Sequence, residues 1–190
     1  MSQILKVQGI LSYPAIFDKI APMASKPGEK TGEPRYELQV SFAGDSQSAQ
    51  SFKKAWFACI TEAGGKPTDA MWEKALRDRL SQYGLNDDKR TDAEGNPRQG
   101  FPKGGYYIKP NSQNRPVVVD QGRIPLTKED GKPYAGCIVN VSMDMYRQKD
   151  SGAVLVKLRA VQLVREGERF GGSGSPVTDD EFSVIAEDLV

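Results

Sequence analysis

The sequence predicts a mainly β protein in which a helical insertion interrupts a small barrel of five strands, followed by a flexible acidic terminus. Three observations predict it. Apolar and polar residues alternate at both ends of residues 1–170, as on half-buried strands. Between those stretches the apolar spacing changes to that of a helix. Residues 171–190 then open on the spacer GGSGS and carry no basic side chain.

The elements follow in chain order. ILKVQGILSY (4–13) places Leu5, Val7 and Leu11 on one face and Lys6, Gln8 and Ser12 on the other. Pro22, Pro27, Gly28, Gly32 and Pro34 then break the chain into a loop. RYELQVSF (35–42) alternates without a fault, with Tyr36, Leu38, Val40 and Phe42 inward and Arg35, Glu37, Gln39 and Ser41 outward. In SAQSFKKAWFACITEAGG the apolar positions Phe52, Ala55, Trp56, Cys59, Ile60 and Ala63 keep helical spacing, and Gly64-Gly65 end the helix. DAMWEKALRDRL reads as a second helix, capped by Asp69, with Trp72, Ala75, Leu76 and Leu80 on its apolar face. Both tryptophans are thereby core residues. Residues 81–103 are polar and rich in glycine, proline and aspartate, which reads as a long mobile loop.

Strands return in GYYIKP, RPVVVD, GCIVNVSMDMY and AVLVKLRAVQLV, the last two joined by the turn RQKDSG. Two strands, a helical insertion and a few further strands suit an OB-type barrel better than a sandwich. The domain division is a barrel over residues 1–170 and an acidic tail over 171–190.

Composition removes whole classes of chemistry. The 190 residues contain no histidine, so histidine-dependent nucleophile systems, general bases and metal sites are excluded. Two cysteines, Cys59 and Cys137, are too few for a thiolate zinc site and read as free thiols of a reducing compartment. KPGEKTGE (26–33) lacks the Gly-Lys-Ser/Thr step of a phosphate loop, and GERFGGSG fails the dinucleotide fingerprint. No cofactor is expected. Asp87, Asp88, Asp92 and Glu94 are the one dense carboxylate group outside the tail, interleaved with Lys89 and Arg90. A magnesium-dependent nuclease built on them is the alternative reading.

The net charge of +1 conceals an asymmetry. Residues 1–170 hold all 26 basic side chains against 20 of the 25 acidic ones, while Asp179, Asp180, Glu181, Glu187 and Asp188 lie in the tail. A basic body suits a phosphate-bearing partner, and an acidic arm suits a built-in competitor for that surface. A merely solubilising terminus is the plainer reading of the arm.

Sequence-independent binding of a nucleic-acid single strand needs cations along the phosphates and flat side chains under the bases. Alternation turns Lys157 and Arg159 outward, opposite Val154, Val156, Leu158 and Ala160. In the partner strand Val139, Val141, Met143 and Met145 face inward and Asn140, Ser142 and Tyr146 outward, with Arg147 and Lys149 at the turn. Tyr107 and Lys109 share a face, Arg115 follows them, and Lys6 and Arg35 are the outward cations of the first two strands. Any single such cation is also ordinary on a solvated sheet.

The segments GYYIKPNSQNRPVVV and GCIVNVSMDMYRQKDSGAVLVKLRAVQLVREGERFGG, with the acidic terminus behind them, resemble the single-stranded-DNA-binding proteins of tailed bacteriophages. The resemblance covers most of the second half and, more loosely, the first strand. It implies an OB-fold, sequence-independent binding of single-stranded DNA in replication or recombination, no catalysis and often a homodimer; phosphate contacts, which do not distinguish strand number, leave weaker contact with duplex DNA open. It also implies that the tail, with Phe182 among its carboxylates, contacts replication proteins such as a polymerase or helicase in the host cytoplasm. The tail departs from related replication proteins in ending on Leu189-Val190 instead of an aromatic residue. A strand-annealing protein and a virion structural protein are the other readings.

Overall fold

The computed structural model describes residues 2–21, 32–78 and 81–170. Its strands are β1 (Ser2–Ile20), β2 (Arg35–Phe42), β3 (Tyr83–Leu85), β4 (Tyr106–Ile108), β5 (Asn111–Ser112), β6 (Val117–Val119), β7 (Ile138–Arg147) and β8 (Val154–Arg165). The helices α1 (Gln47–Glu62), α2 (Asp69–Arg77) and the short α3 (Asn86–Lys89) fall between β2 and β4. Five of the strands close on themselves in the order β1, β7, β8, β5, β2 and back to β1. All neighbours in this ring are antiparallel except β5 and β8, whose parallel pairing is the link Asn111↔Lys157. The expected five-stranded barrel is therefore present, with β3 and β4 extending it beyond β2 and β6 attached beside β8.

One strand serves two sides of the barrel because it bends. Residues 2–10 of β1 pair with β7, and residues 10–20 pair with β2. The register slips between Ser12 and Ala15, where Tyr13 adopts a φ of 49° and Pro14 follows. Gly9 sits at the crossing, where a Cβ would lie 2.3 Å from the Ser41 carbonyl oxygen. Ser12, expected on the polar face, is buried opposite Gln39 of β2, and β1 runs well past its expected end at Tyr13.

The barrel interior holds Leu5, Val7, Leu11, Leu38, Val40, Val139, Val141, Met143, Met145, Val156, Leu158 and Val161. α1 lays Ala49, Phe52, Trp56, Cys59 and Ile60 toward this core, and its start is capped by the Ser46 Oγ, which accepts the Ala49 N–H at 3.2 Å. Phe52 meets Trp72 and Tyr83 edge-on at centroid distances of 4.9 and 5.3 Å. Ala63, expected on the apolar stripe, is instead the exposed C-cap. Thr68, not Asp69, caps α2: its Oγ1 accepts the Met71 N–H at 3.2 Å. Leu80 falls outside the described residues. Cys59 and Cys137 are both free and buried.

The polar stretch 81–103 is more structured than a mobile loop. It contributes β3, α3 and a turn in which Thr91 bridges Pro97. The Asp92 carboxylate organises that turn by accepting N–H groups of Glu94 and Asn96, which hold it below its ordinary pKa.

β8 contains two residues without a partner in β7, Val164 near its end and Arg159 in its middle. Met143 opposes Leu158 but Ser142 opposes Ala160, so Arg159 is a bulge with no partner of its own in β7. The inward set therefore shifts from Val154, Val156 and Leu158 to Val161 and Leu163, and Ala160, expected inside, turns toward the outer face. A bulge reverses face assignment for every residue beyond it, because side chains alternate with a period of two.

Candidate nucleic-acid interface

The barrel is narrowest in hydrogen bonding where β5 meets β8, and a groove of about 360 Å³ runs over this seam. β5 is two residues long and cannot satisfy the edge of β8 alone. The Gln82 side chain compensates by accepting the Val156 N–H at 2.7 Å, while its own carbonyl takes the Lys109 N–H at 2.6 Å. Arg35 from β2, Asn111 from β5, Lys157 from β8 and Tyr146 from β7 all line the groove. The Arg35 guanidinium donates to Asn111 Oδ1 at 3.1 Å, which fixes its position on one lip of the seam. The lining contains two cations, one phenol ring and the amides of Gln82, Asn111, Gln113 and Asn114, with no carboxylate among them.

The β7–β8 hairpin stands beside this groove. Gln148 N–H donates to Ala153 O at 2.8 Å and Gly152, at a φ of 70°, donates to Gln148 O at 2.9 Å, closing the turn. Arg147 is tied to the same turn through its Nε–H, 3.1 Å from the Gly152 carbonyl oxygen, and Lys149 is exposed at its tip. In OB barrels the outer face of the second and third ring strands and the loop between the last two are the usual surface for an oligonucleotide. Those elements are β2, β5 and the β7–β8 turn here.

The structure thus brings together Arg35, Tyr146 and Lys157, with Arg147 and Lys149 at the adjoining turn. It distributes the other expected residues differently. Lys6 lies in a separate trough across β1, β7 and β8. Arg115 is exposed between β5 and β6. Lys109 is paired with Glu37 at 3.1 Å and Arg159 with Asp144 at 2.8 Å, so neighbouring carboxylates offset part of each charge. The residues Asp179, Asp180, Glu181, Phe182, Glu187 and Asp188 lie outside the described part of the chain.

Tyr107 does not face outward. Its ring is 3% exposed, because the segment after α3 folds over β4 and sets the Arg90 guanidinium 4.2 Å above the ring. Burial raises the Tyr107 pKa, against the opposing pull of Arg90. α3 and the segment after it also cover Gln39 and Ser41, which alternation places on the solvent side of β2: Arg90 Nε–H donates to Gln39 Oε1 at 3.0 Å and Asn86 Nδ2–H to Ser41 Oγ at 3.0 Å. The open part of the β2 face is therefore its Arg35 end. Asp87, one of the carboxylates considered for magnesium, accepts the Gly104 N–H at 2.9 and 3.0 Å and anchors the segment's return. Among the described residues no three acidic or cysteine side chains cluster as metal ligands.

The amides of the groove were not among the residues expected from sequence. The run PNSQN (110–114) between two strand signals was their one visible trace.

With this geometry in place, the relatives are informative. The family described as "Enterobacter phage Enc34, ssDNA-binding protein" matches residues 4–190. The chain belongs to this family. Among the family's solved structures, the single-stranded DNA-binding protein from bacteriophage Enc34 superposes with a TM-score of 0.62 at 18% identity, over 94% of this chain and 90% of that one. The same protein in complex with ssDNA gives 0.63 at 19% identity, over 88% and 89% of the two chains. These likenesses establish the shared mostly β, OB-like fold. A curated protein, p50 of Acyrthosiphon pisum secondary endosymbiont phage 1, is 36% identical over 88 residues, which are 45% of this chain. That match spans about half of the relative's length, 48%. No helix among the described residues is long and apolar enough to cross a membrane.

Proposed function

We propose that this family member binds single-stranded DNA without sequence preference, in the groove over the β5–β8 seam. The observation that carries the reading is the convergence of Arg35, Lys157 and the Tyr146 ring in one carboxylate-free groove, where an OB barrel ordinarily receives an oligonucleotide. Cations there neutralise phosphates, and the ring offers a face to an unpaired base of any identity. The Enc34 relative, described as an ssDNA-binding protein and solved with ssDNA, supports the same reading. Binding of this kind calls for no catalytic step, and the physiological setting is phage replication or recombination in the host cytoplasm.

The acidic arm, residues 171–190, completes the proposal. Its five carboxylates mimic phosphates, compete for the basic body when DNA is absent, and on displacement present Phe182 and its neighbours to a polymerase or helicase. Removal of residues 173–190 then tightens DNA binding at low salt.

A salt-titrated fluorescence assay with single-stranded and duplex oligomers of equal length tests the core claim. The expected result is preference for the single strand and a slope of log affinity against log salt of about 0.7 per phosphate neutralised. The slope should fall by one such increment in Lys157→Ala and again in Arg35→Ala. Equal affinity for both oligomers, with neither substitution altering the slope, would refute it.

A further inference from the structure

A second depression lies on the outer barrel wall, away from the seam. It measures about 790 Å³ and its floor is two rungs of the sheet: Gln8, Asn140, Gln162 and Val119, then Lys6, Ser142 and Ala160. The first turn of α1 forms one wall and the turn carrying Arg123 the other. We propose that this trough is a second subsite for single-stranded DNA, holding the continuation of the strand that occupies the seam groove. The inference rests on the function proposed above and extends it to a longer path.

Three features fit a polynucleotide. The lining carries Lys6 and Arg123 and no carboxylate, so the field favours a polyanion. The N-terminal end of the 16-residue α1 dipole adds partial positive charge on the same side. The floor is also a fixed amide ladder: Gln8 Nε2–H donates to Asn140 Oδ1 and Asn140 Nδ2–H to Gln162 Oε1, both at 3.1 Å. Gln162 Nε2 in turn donates to the Asp120 and Gln121 carbonyl oxygens at 3.4 Å, so the ladder is held in one orientation, and the second N–H of Gln8 and of Asn140 is left for base edges of varied identity.

Charge alone would suit any polyanion, including the acidic arm. Continuity with the groove singles out DNA. Tyr146 of the groove and Ser142 of the trough lie on the same outward face of β7, four residues or about 14 Å apart at roughly 3.4 Å per residue. The bulged Arg159, paired with Asp144, stands on that face between them. A strand leaving the Tyr146 end meets this guanidinium, which offsets the Asp144 carboxylate beneath it, and then the trough.

The experiment compares the full-length wild type with Lys6→Gln/Arg123→Gln, using oligothymidylates of about 6 and about 20 nucleotides, within and beyond the span of one short OB site. Both replaced side chains line the surface trough, and a thermal melt reports whether the fold is kept. A second variant, Ala160→Glu, sets a carboxylate on the floor without removing a cation. The expected result is an affinity for the 20-mer about tenfold lower at low salt, a salt slope smaller by about 1.4 for the double variant, a shorter occluded site, and an unchanged 6-mer affinity. Unchanged 20-mer affinity in both variants overturns the proposal. So does equal weakening for both lengths, which makes the trough part of the primary groove. Tighter 20-mer binding would assign the trough to the acidic arm, and an altered sedimentation coefficient would assign it to a second copy of the chain; either result overturns it. Failure of the wild type to bind either oligomer refutes the seam groove itself, which separates the two readings.

Discussion

The Arg90 guanidinium lies 4.2 Å over the Tyr107 ring and donates through Nε to Gln39. Through these two contacts the segment after α3 closes the middle of the β2 face, and the groove is confined to the Arg35 end. Two tyrosines of the same half of the chain are thus placed in opposite ways: Tyr107 packs, and Tyr146 lines the groove.

Tyr146→Ala should weaken oligothymidylate binding by about 1–3 kcal/mol, the usual loss of one stacked base, with the unfolding midpoint nearly unmoved. Tyr107→Ala should instead destabilise the fold by about 3–5 kcal/mol, as large-to-small aromatic changes in a core do. Urea unfolding beside fluorescence titration separates them. Equal effects of the two substitutions on binding, with none on stability, would contradict the assignment.

Asp144 restrains the bulged Arg159 at 2.8 Å on the outward face. Asp144→Asn should therefore tighten DNA binding several-fold at low salt and steepen the salt dependence, since it releases a cation beside the path. The fold should change by at most about 1 kcal/mol, the scale of a partly exposed ion pair. Weaker binding in this variant would show that the pair serves as a unit.

Trp56 Nε1–H donates to Tyr83 Oη at 2.9 Å inside the helical insertion. Burial pushes the Tyr83 phenol up to about 12. The native state keeps this proton above pH 10, where the unfolded chain releases it, so the stabilisation is complete below about pH 10 and is lost as pH rises toward 12. Its size is ~2–3 kcal/mol. Tyr83→Phe should lose about 1–3 kcal/mol near neutrality, because the Trp56 N–H is left buried without an acceptor. It should also show a flatter decline between about pH 10 and 12 in urea titrations. A parallel decline in both proteins would place the alkaline sensitivity elsewhere.

The chain contains no histidine, the side chain that ordinarily changes charge between about pH 5 and 8. Single-strand affinity at fixed ionic strength should accordingly be flat from about pH 6 to 8. An inflection in that window would point to a group outside the groove.

The strands that alternate without interruption were legible from sequence: β2 falls at its expected bounds, and Tyr146 and Lys157 reach the outer face as their parity requires. What escaped was set by partners distant in sequence. The extra residue at Arg159 is visible only against β7, so Ala160 was assigned to the wrong face. β3 and β5 are too short to show a period, yet they supply Tyr83 to the core and Asn111 to the groove. Tyr107 and Gln39 obey alternation along their strands, but a segment more than 40 residues beyond Gln39 covers them, and no local pattern announces that cover. The far half of β1 was hidden by Tyr13-Pro14, where the chain turns a barrel corner that reads locally as a strand end.

The seam between β5 and β8 rests on one residue pair and one borrowed glutamine side chain. A strand seated there touches both lips of that opening, Arg35 and Asn111 on one and Lys157 on the other. Occupancy and circumferential closure are then linked: each bound segment acts as a sixth stave across the weakest joint, and amide exchange at Asn111 and Ser112 slows in proportion to how tightly it is held.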